Sequence, residues 1–549
     1  MAEPRGSGPN RGGRPSWVPF AIATVAILVV WGITAVAVGG DDDDGDTSTG
    51  GGSEQAGDDG TEADDGDSGD EVAAESTTTL PPFDGWVDPK SSGKPWTAAG
   101  ATREGLLTFR GNPTRTYYGE GPLPKDPAVL WTFPESGGLC GLSSGKTWCG
   151  TGWTGQPNVW EQDGKTWVAF GAYDKAVHWL DGETGERLLP DFPVGDIIKG
   201  TVTVDPDGYP LLYTGSRDNY YRVIAMDREE PTELWKISAT AVSPTQWNDD
   251  WDGSGLIIDD YLFEGGENSQ FHIVKLNRGY DADGKVTVDP ELVFNTPGWD
   301  AEQLAAIGDD EVSIENSVAI SGNTVYFGNS GGLVQGWDIS GLKDGQDPTQ
   351  VFRYLVAEDT DASIVIDDEG FIYVSAEWEK NRQRGVETGQ FMKLDPSKPD
   401  DPEVWKVDLR DDGGIWATPA IAGDIIYTAT DRGQIYAFDR ATGEEVWTKK
   451  LPGPTWQSPV VIDDVLLQGD CDGVLHAYDV SKPREEPDEL WSVKLGGCIE
   501  STPAVWKGMI WVGARGGQFY AIGDPPPGFE PPATTAPPAG SDSGESGDG

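Results

Sequence analysis

The stretch GQIYAFDRATGEEVW, residues 433–447, has the pattern of a strand, a tight turn and a second strand. Asp439, Thr442 and Gly443 are residue types that organise tight turns. Trp447 ends the second strand with a large aromatic side chain, which buries much area where two sheets meet. The pattern by itself fits either a ligand-binding turn or a structural unit used repeatedly.

Altered copies of this stretch recur along the chain. They include KAVHWLDGETGERL (175–188), DGVLHAYDVSKPREEPDELW (472–491) and GGQFYAIGD (516–524). Another pair of short strands precedes each copy, as in ATPAIAGDIIYTAT (417–430) and STPAVWKGMIWVGA (501–514). Each full unit therefore contains four strands with alternating apolar residues and Gly or Asp turns between them.

The spacing of these units predicts the fold. The last strands end at intervals of 42 to 59 residues, near Leu189, Trp235, Phe294, Phe352, Trp405, Trp447 and Trp491. This is the period of a four-stranded propeller blade. Seven complete units precede an eighth that lacks its fourth strand, and PAVLWTFP (127–134) has the missing pattern. We therefore predict an all-β, eight-bladed β-propeller over residues 96–524, closed by an N-terminal strand that covers the open edge. In that fold Trp447 packs between blades and residues 433–447 are a structural unit.

A family resemblance supports this prediction. YAFDRATGEEVW (436–447) resembles the tryptophan-docking repeat of pyrroloquinoline-quinone-type propellers, and LLTFRGNPTRTYYGEGPLP (106–124) resembles the segment before their first blade. The family contains quinoprotein dehydrogenases and also non-enzymatic propellers, such as the lipoprotein of the outer-membrane barrel assembly machinery, so membership does not define function. The chain resembles the non-enzymatic type more, because it has neither adjacent cysteines nor a C-x-x-C-H haem motif.

Polar and aromatic residues stand just before each predicted first strand, and first strands line the axis of a propeller. The resulting candidates for the rim of the central funnel are Lys199, Asp252, Glu315, Asn316, Asp361, Trp416, Trp456, Gln457 and Glu500. Glu315 and Asn316 are the metal candidates, since carboxylate and amide oxygens suit calcium. The resemblance implies a base role for Asp361 if the chain is an enzyme. A polar, water-filled axis is the alternative reading.

Three functions follow from these residues. The first is a binding or scaffold module for envelope proteins or glycans, which we favour. The second is a calcium-dependent alcohol or sugar dehydrogenase that uses pyrroloquinoline quinone, a cofactor that we do not expect in this protein. The third is a calcium-dependent binding module. The net charge of −54 argues against nucleic acid and anionic lipid as partners, because phosphate binding needs clustered Lys and Arg. We expect a monomer.

The N-terminus predicts the cellular location. Residues 17–38 form an uncharged apolar run long enough to span a bilayer. Three arginines precede it and an Asp-rich run follows, which places residues 1–16 in the cytoplasm and the rest outside the cell membrane. A cleavable signal peptide is the alternative, since Ala35 to Ala37 has the small residues of a cleavage site. Residues 39–82 and 525–549 have the composition of disordered segments.

The four cysteines suit an oxidising compartment, where an even number predicts disulfides. Cys140 and Cys149 flank a short Gly/Ser stretch before the first blade. Cys471 and Cys498 lie on two connections that emerge on the same face of a propeller. We therefore predict the bonds Cys140–Cys149 and Cys471–Cys498, with Cys140–Cys498 as the alternative.

Overall fold

A computed structural model describes residues 83–152 and 155–530, and these residues form eight radial β-sheets around an axis. Within each blade the chain runs from the innermost strand outwards, and consecutive strands pair antiparallel. Short strands and tight turns allow this meander, because each blade buries its apolar faces against its two neighbours. The predicted eight-bladed propeller is confirmed.

Each blade has four strands, ordered from the axis outwards. Blade 1 consists of Asn158–Gln162, Lys165–Ala172, Ala176–Asp181 and Phe192–Pro193. Blade 2 consists of Thr203–Val204, Leu211–Thr214, Tyr220–Ala225 and Thr232–Ser238. Blade 3 consists of Leu256–Ile258, Tyr261–Gly265, Gln270–Lys275 and Glu291–Pro297. Blade 4 consists of Ala319–Ser321, Thr324–Phe327, Leu333–Asp338 and Thr349–Leu355.

The remaining blades follow the same order. Blade 5 consists of Val365–Ile366, Ile372–Ser375, Phe391–Leu394 and Glu403–Val407. Blade 6 consists of Ala420–Ala422, Ile425–Ala429, Gln434–Asp439 and Glu445–Lys450. Blade 7 consists of Val460–Ile462, Val465–Gly469, Val474–Asp479 and Glu489–Lys494. Blade 8 consists of Ala504–Trp506, Met509–Ala514, Gln518–Gly523 and Ala128–Phe133.

Blade 8 closes the ring with a strand from the other end of the chain. Ala128–Phe133 pairs antiparallel with Gln518–Gly523, and the register places Phe133 opposite Phe519. The closing strand predicted at 127–134 is therefore confirmed. Closure leaves blade 8 without the unpaired edge that a three-stranded blade would expose.

The repeated tryptophan lies in the seam between blades. Trp447 is 6% exposed, and its indole N–H donates to the carbonyl of Pro483 in blade 7 at 3.1 Å. Trp405 of blade 5 donates in the same way to the carbonyl of Arg440 in blade 6, also at 3.1 Å. Gly443 has φ +72°, and a Cβ there would lie 2.7 Å from the Trp405 ring. The stretch 433–447 is therefore a structural unit whose glycine makes room for the tryptophan of the preceding blade.

One predicted strand end is wrong. Six of the seven residues predicted near the ends of the last strands lie in outermost strands. Leu189 instead precedes the outer strand of blade 1, which is Phe192–Pro193. Arg187 instead forms an isolated bridge with Leu180. Pro190 has no N–H to donate to a ladder, so pairing stops there and resumes only briefly.

The segment before the closing strand fills the axis. Gly105–Leu106 pairs with the inner strand of blade 1, and Gly119–Glu120 pairs parallel with the inner strand of blade 8. Between them, the carbonyl of Pro113 accepts from Ile320 of blade 4, and that of Thr114 accepts from Ile366 of blade 5. The segment therefore satisfies inner-strand N–H groups that would otherwise face an open channel.

Two fully buried arginines hold this segment in place. Arg115 donates to the carbonyls of Val318 and Ser254 at 2.8 and 2.7 Å. Arg110 donates to the carbonyls of Pro419 and Pro459. Burial lowers the pKa of Arg115 to about 9, so its guanidinium still carries its charge at neutral pH. Each arginine links inner strands of two blades.

The other elements lie in connections. The α-helices are Ala301–Ile307 and Gln383–Thr388. The 3-10 helices are Pro89–Ser91, Trp96–Ala99, Ala239–Ala241, Leu342–Asp344 and Arg410–Asp412. Two small ladders pair Cys140–Ser143 with Lys146–Cys149, and Gly279–Tyr280 with Val286–Thr287. Disulfides join Cys140 to Cys149 and Cys471 to Cys498, the pairings expected from the sequence.

The predicted membrane span 17–38 lies outside the described residues, as do residues 1–16, 39–82 and 531–549. Across 83–152 and 155–530, no helix combines the length and the apolar character needed to cross a bilayer.

Candidate axial binding site

The loops that enter the inner strands converge at one end of the axis. Seven of the nine candidates stand at the same position before an inner strand. We call this ring of residues the mouth; it consists of Lys199, Asp252, Glu315, Asp361, Trp416, Trp456 and Glu500. Asn316 and Gln457 each follow a mouth residue by one position.

A ring of hydroxyl groups sets the position of these loops. Two residues before most inner strands the chain carries Ser or Thr, and these residues are Thr201, Ser254, Ser317, Ser363, Thr418, Ser458 and Thr502. From Ser254 to Thr418, each backbone N–H donates to the hydroxyl of the next blade at 2.9 to 3.0 Å. These bonds hold neighbouring mouth residues in register around the axis.

A first cluster of carboxylates contains a lysine of the chain itself. Asp252, Glu267 and Glu315 bring carboxylate oxygens within 4.8 Å of one another. The Lys199 ammonium forms ion pairs with Asp252 and with Glu267, the latter at 3.1 Å. Burial would raise the pKa of Glu267, but the Lys199 ammonium lowers it below its usual value. The same carboxylates raise the pKa of Lys199 well above its usual value, although burial opposes this.

A second cluster lies across blade 5. Asp359, Asp361 and Glu377 also bring carboxylate oxygens within 4.8 Å of one another. Burial and the neighbouring carboxylates raise the pKa of all three well above the usual range. Burial likewise raises the pKa of Asp431, to about 8. A bound cation would lower these pKa values and favour loss of protons from these carboxyl groups.

Aromatic and paired residues form the other half of the mouth. The rings of Trp416 and Trp456 meet edge to face with centroids 5.7 Å apart. The backbone N–H of Trp416 donates to Asp431 at 3.3 Å, which joins the aromatic pair to the acidic half. Glu500 accepts two bonds from Arg515 at 3.0 and 2.9 Å. The mouth is thus acidic on one side and aromatic on the other.

Asn316 and Gln457 direct their amides to the backbone. Asn316 donates to the carbonyl of Thr360 at 2.8 Å and accepts from the N–H of Gly328 at 3.2 Å. Gln457 donates to the carbonyl of Ser458 and accepts from the N–H of Gly469. The Glu315 carboxylate instead accepts from hydroxyl groups, so Glu315 and Asn316 have different partners.

Sequence reasoning missed several residues that lie beside the mouth. Glu267, Glu377 and Asp431 follow the second strands of their blades, and this connection reaches the same end of the axis as the loops into the inner strands. For Asp250 and Asp359 the sequence did carry a signal, since DWDGS (250–254) and DTDAS (359–363) repeat the same acidic pattern before two inner strands. Comparing blades position by position would have found it.

A second cavity, with a volume of about 1100 Å³, is lined in part by turns of blades 6 and 7. Arg440, from the stretch that revealed the repeat, is one of its lining residues. The basic groups there already face acidic partners: Arg440 lies 3.6 Å from Asp368, and Arg484 lies 2.6 Å from Asp439. The mouth therefore remains the better candidate site.

Comparisons with known proteins agree with this fold. The sequence family described as "Outer membrane protein assembly factor BamB" matches residues 392–486. An outer membrane protein assembly factor BamB of Marinobacter adhaerens is 37% identical over 81 residues, 13% of this chain and 21% of that protein. A quinohemoprotein alcohol dehydrogenase of Comamonas testosteroni is 27% identical over 133 residues, 22% of this chain and 19% of that protein.

The matched segments thus span about one fifth of each curated relative. The crystal structure of the Comamonas testosteroni dehydrogenase covers 78% of this chain and 83% of its own, with a TM-score of 0.52 at 13% identity. A likeness at that identity shows the fold alone. Together with the repeats, these findings show a β-propeller whose residues 392–486 match the repeat family described for BamB.

Proposed function

We propose that this chain is a binding and scaffold module of the cell envelope, anchored by residues 17–38 with its propeller outside the cytoplasm. The observation that carries the proposal is the pairing within the mouth. Lys199 and Arg515 neutralise mouth carboxylates of the chain itself, and the Asn316 and Gln457 amides bond to backbone. A ring built in this way holds its polar side chains rigid, which suits recognition of an envelope protein or glycan. The match to an outer membrane protein assembly factor supports the same reading.

A runner-up function rests on a specific observation. Asp361 is a buried acid with a raised pKa, which is the property of a general base that works near neutral pH. Asp361 and Glu377 offer the oxygen ligands that calcium prefers, and a bound quinone would supply the electron acceptor of an alcohol or sugar dehydrogenase. The resemblance implies Glu315 and Asn316 as further calcium ligands, and the Asn316 amide already bonds to backbone groups.

Dye reduction separates the two functions. Purified full-length protein in a neutral detergent is incubated with pyrroloquinoline quinone and calcium, then assayed for dye reduction across alcohols and sugars. We expect no substrate-dependent rate above that of Asp361→Asn. A substrate-dependent rate that this variant loses would establish the dehydrogenase and overturn the scaffold proposal.

Site-specific cross-linking tests the scaffold role directly. A photoreactive residue at Trp456 in the mouth should yield discrete adducts with envelope components in living cells. The same residue at Val404, which is 43% exposed on an outer strand, is the matched control and should not. Equal adducts from both positions, or none from Trp456, would contradict a binding role for the mouth. Protease added to accessible cells should also release the propeller by cutting within residues 39–82.

A further inference from the structure

Blades 3 and 5 carry the same acidic motif around the mouth. In each blade two acids precede the inner strand and a third follows the second strand, at matching distances from those strands. The equivalent pairs are Asp250 and Asp359, Asp252 and Asp361, and Glu267 and Glu377. The fold thus presents one constellation of three acids twice, and the two copies can be compared.

In blade 3 the chain supplies the cations. The Lys199 ammonium pairs with Asp252 and Glu267, and the Arg217 guanidinium pairs with Asp250. Both basic residues come from blade 2, and both side chains are only 13% exposed. Blade 3 therefore shows what its three acids bind: one ammonium and one guanidinium from the preceding blade.

In blade 5 the corresponding positions carry no positive charge. The residue of blade 4 equivalent to Lys199 is Glu315, and the residue equivalent to Arg217 is Ser330. The Ser330 hydroxyl oxygen lies 3.3 Å from an Asp361 oxygen and 3.2 Å from a Glu315 oxygen, within hydrogen-bond distance of both acids. Blade 4 therefore adds a fourth acid and a hydroxyl where blade 2 provides two cations.

Lys380, the first basic residue after Glu377, forms its ion pairs outside the cluster, although its charge also acts on Asp359. Lys380 forms ion pairs with Glu311 at 2.7 Å and with Glu379 at 3.2 Å. One oxygen of Asp359, a residue that is 7% exposed, has no hydrogen-bond partner among the described residues. A buried carboxylate oxygen without a partner is costly, so a donor supplied by a ligand would stabilise it.

From these observations we propose that Asp359, Asp361 and Glu377 bind an ammonium or guanidinium group of a ligand, as the blade 3 acids bind Lys199 and Arg217. Trp416 and Trp456 lie on the next two blades of the mouth, and indole rings are side chains that attract cations. The inference deepens the proposed function and rests on it, because it names the chemistry that the mouth recognises. The source is either a basic side chain of an envelope protein or a free polyamine.

Calorimetric titration of full-length protein in neutral detergent tests the proposal. The probes are an acetylated Lys-Gly-Arg amide peptide, its Gln-Gly-Gln analogue, spermidine and calcium chloride. We expect the basic peptide or spermidine to bind and the neutral peptide not to bind, and the preferred probe identifies the source. Burial and mutual repulsion raise the pKa of all three acids, so a bound cation should favour proton release. Titration in buffers of different ionisation enthalpy measures that release.

Variants make the test specific. Asp361→Asn and Glu377→Gln should weaken amine binding at least tenfold. Glu315→Lys restores the cation that blade 2 supplies to blade 3, and it should abolish amine binding while keeping or raising the thermal midpoint. The matched control is Glu302→Gln, whose carboxylate is 78% exposed on the helix Ala301–Ile307, and its affinity should stay within twofold.

The outcomes separate the inference from the function on which it rests. Binding of calcium alone, or equal amine binding by wild type and Glu315→Lys, would overturn the ammonium assignment. The scaffold role would still stand if the photoreactive residue at position 456 continues to form adducts. Dye reduction with quinone would overturn the scaffold role whatever the amines do.

Discussion

Replacing Trp447 by alanine should destabilise the propeller more than any change to an exposed tryptophan. The side chain is 6% exposed, and its N–H bonds to the Pro483 carbonyl of the next blade. Loss of a buried tryptophan costs about 3–5 kcal/mol through lost burial and a cavity. The orphaned carbonyl adds to this, so we expect about 4 kcal/mol or slightly more.

Trp447→Phe separates the two contributions. It keeps an aromatic ring in the seam but removes the N–H donor, so we expect a loss of about 1–2 kcal/mol. Trp247→Ala is the control, because that ring is 42% exposed, and it should cost less than about 1 kcal/mol.

Guanidinium unfolding of the three variants, followed by far-UV circular dichroism, provides the measurement. With a slope of about 4 kcal/mol per molar, Trp447→Ala should lower the midpoint by about 1 M. A domain of this size need not unfold in two states, so midpoints are compared only where the slopes agree. A midpoint for Trp447→Ala that matches the Trp247→Ala control would refute the seam role of the repeated tryptophan.

Other expectations concern the ring, the disulfides and pH. Deleting residues 127–134 should cause aggregation or a large loss of thermal stability, because blade 8 loses its outer strand. Trimming residues 41–75 should leave the thermal midpoint almost unchanged. Equal effects of the two deletions would contradict the closure of the ring. Non-reducing peptide mapping of protein from its native membrane should find Cys140–Cys149 and Cys471–Cys498 without free thiols, and four free thiols would contradict an exported location. Burial raises the pKa of Asp431 to about 8 and that of Asp250 to about 6. The folded state therefore binds more protons than the unfolded chain between pH 5 and 8. The free energy of unfolding should fall as pH rises through this window. Asp431→Asn should flatten the decline in thermal midpoint, and a midpoint that rises over this range would contradict the assignment.

The architecture could be predicted because its signals are local. Alternating strands, Gly and Asp turns and the terminal tryptophan lie within each unit, so the spacing alone reveals eight blades. The missing fourth strand of the last unit identified the closing strand at the other end of the chain. Leu189 shows the limit of this reasoning, because a pattern can place a strand that a proline then interrupts.

The candidate site was only partly predictable. The position before each inner strand follows from the repeat, so Lys199 and Asp361 could be assigned to the mouth from the sequence. Glu267 and Glu377 could not be assigned in this way. They come from the connection after the second strand, and its position relative to the axis depends on how the blades are arranged.

By itself, the sequence determined the repeat, the number of blades, the closing strand and the residue types at the mouth, because each depends on neighbours along the chain. Tertiary structure alone decided which charges meet. Lys199 pairs with Glu267, which is far along the chain in the next blade, while Asp361 in an equivalent loop lies beside two further acids. The Asn316 amide bonds to backbone groups of blades 4 and 5. These pairings depend on distances across the axis, and those distances exist only once the ring has closed.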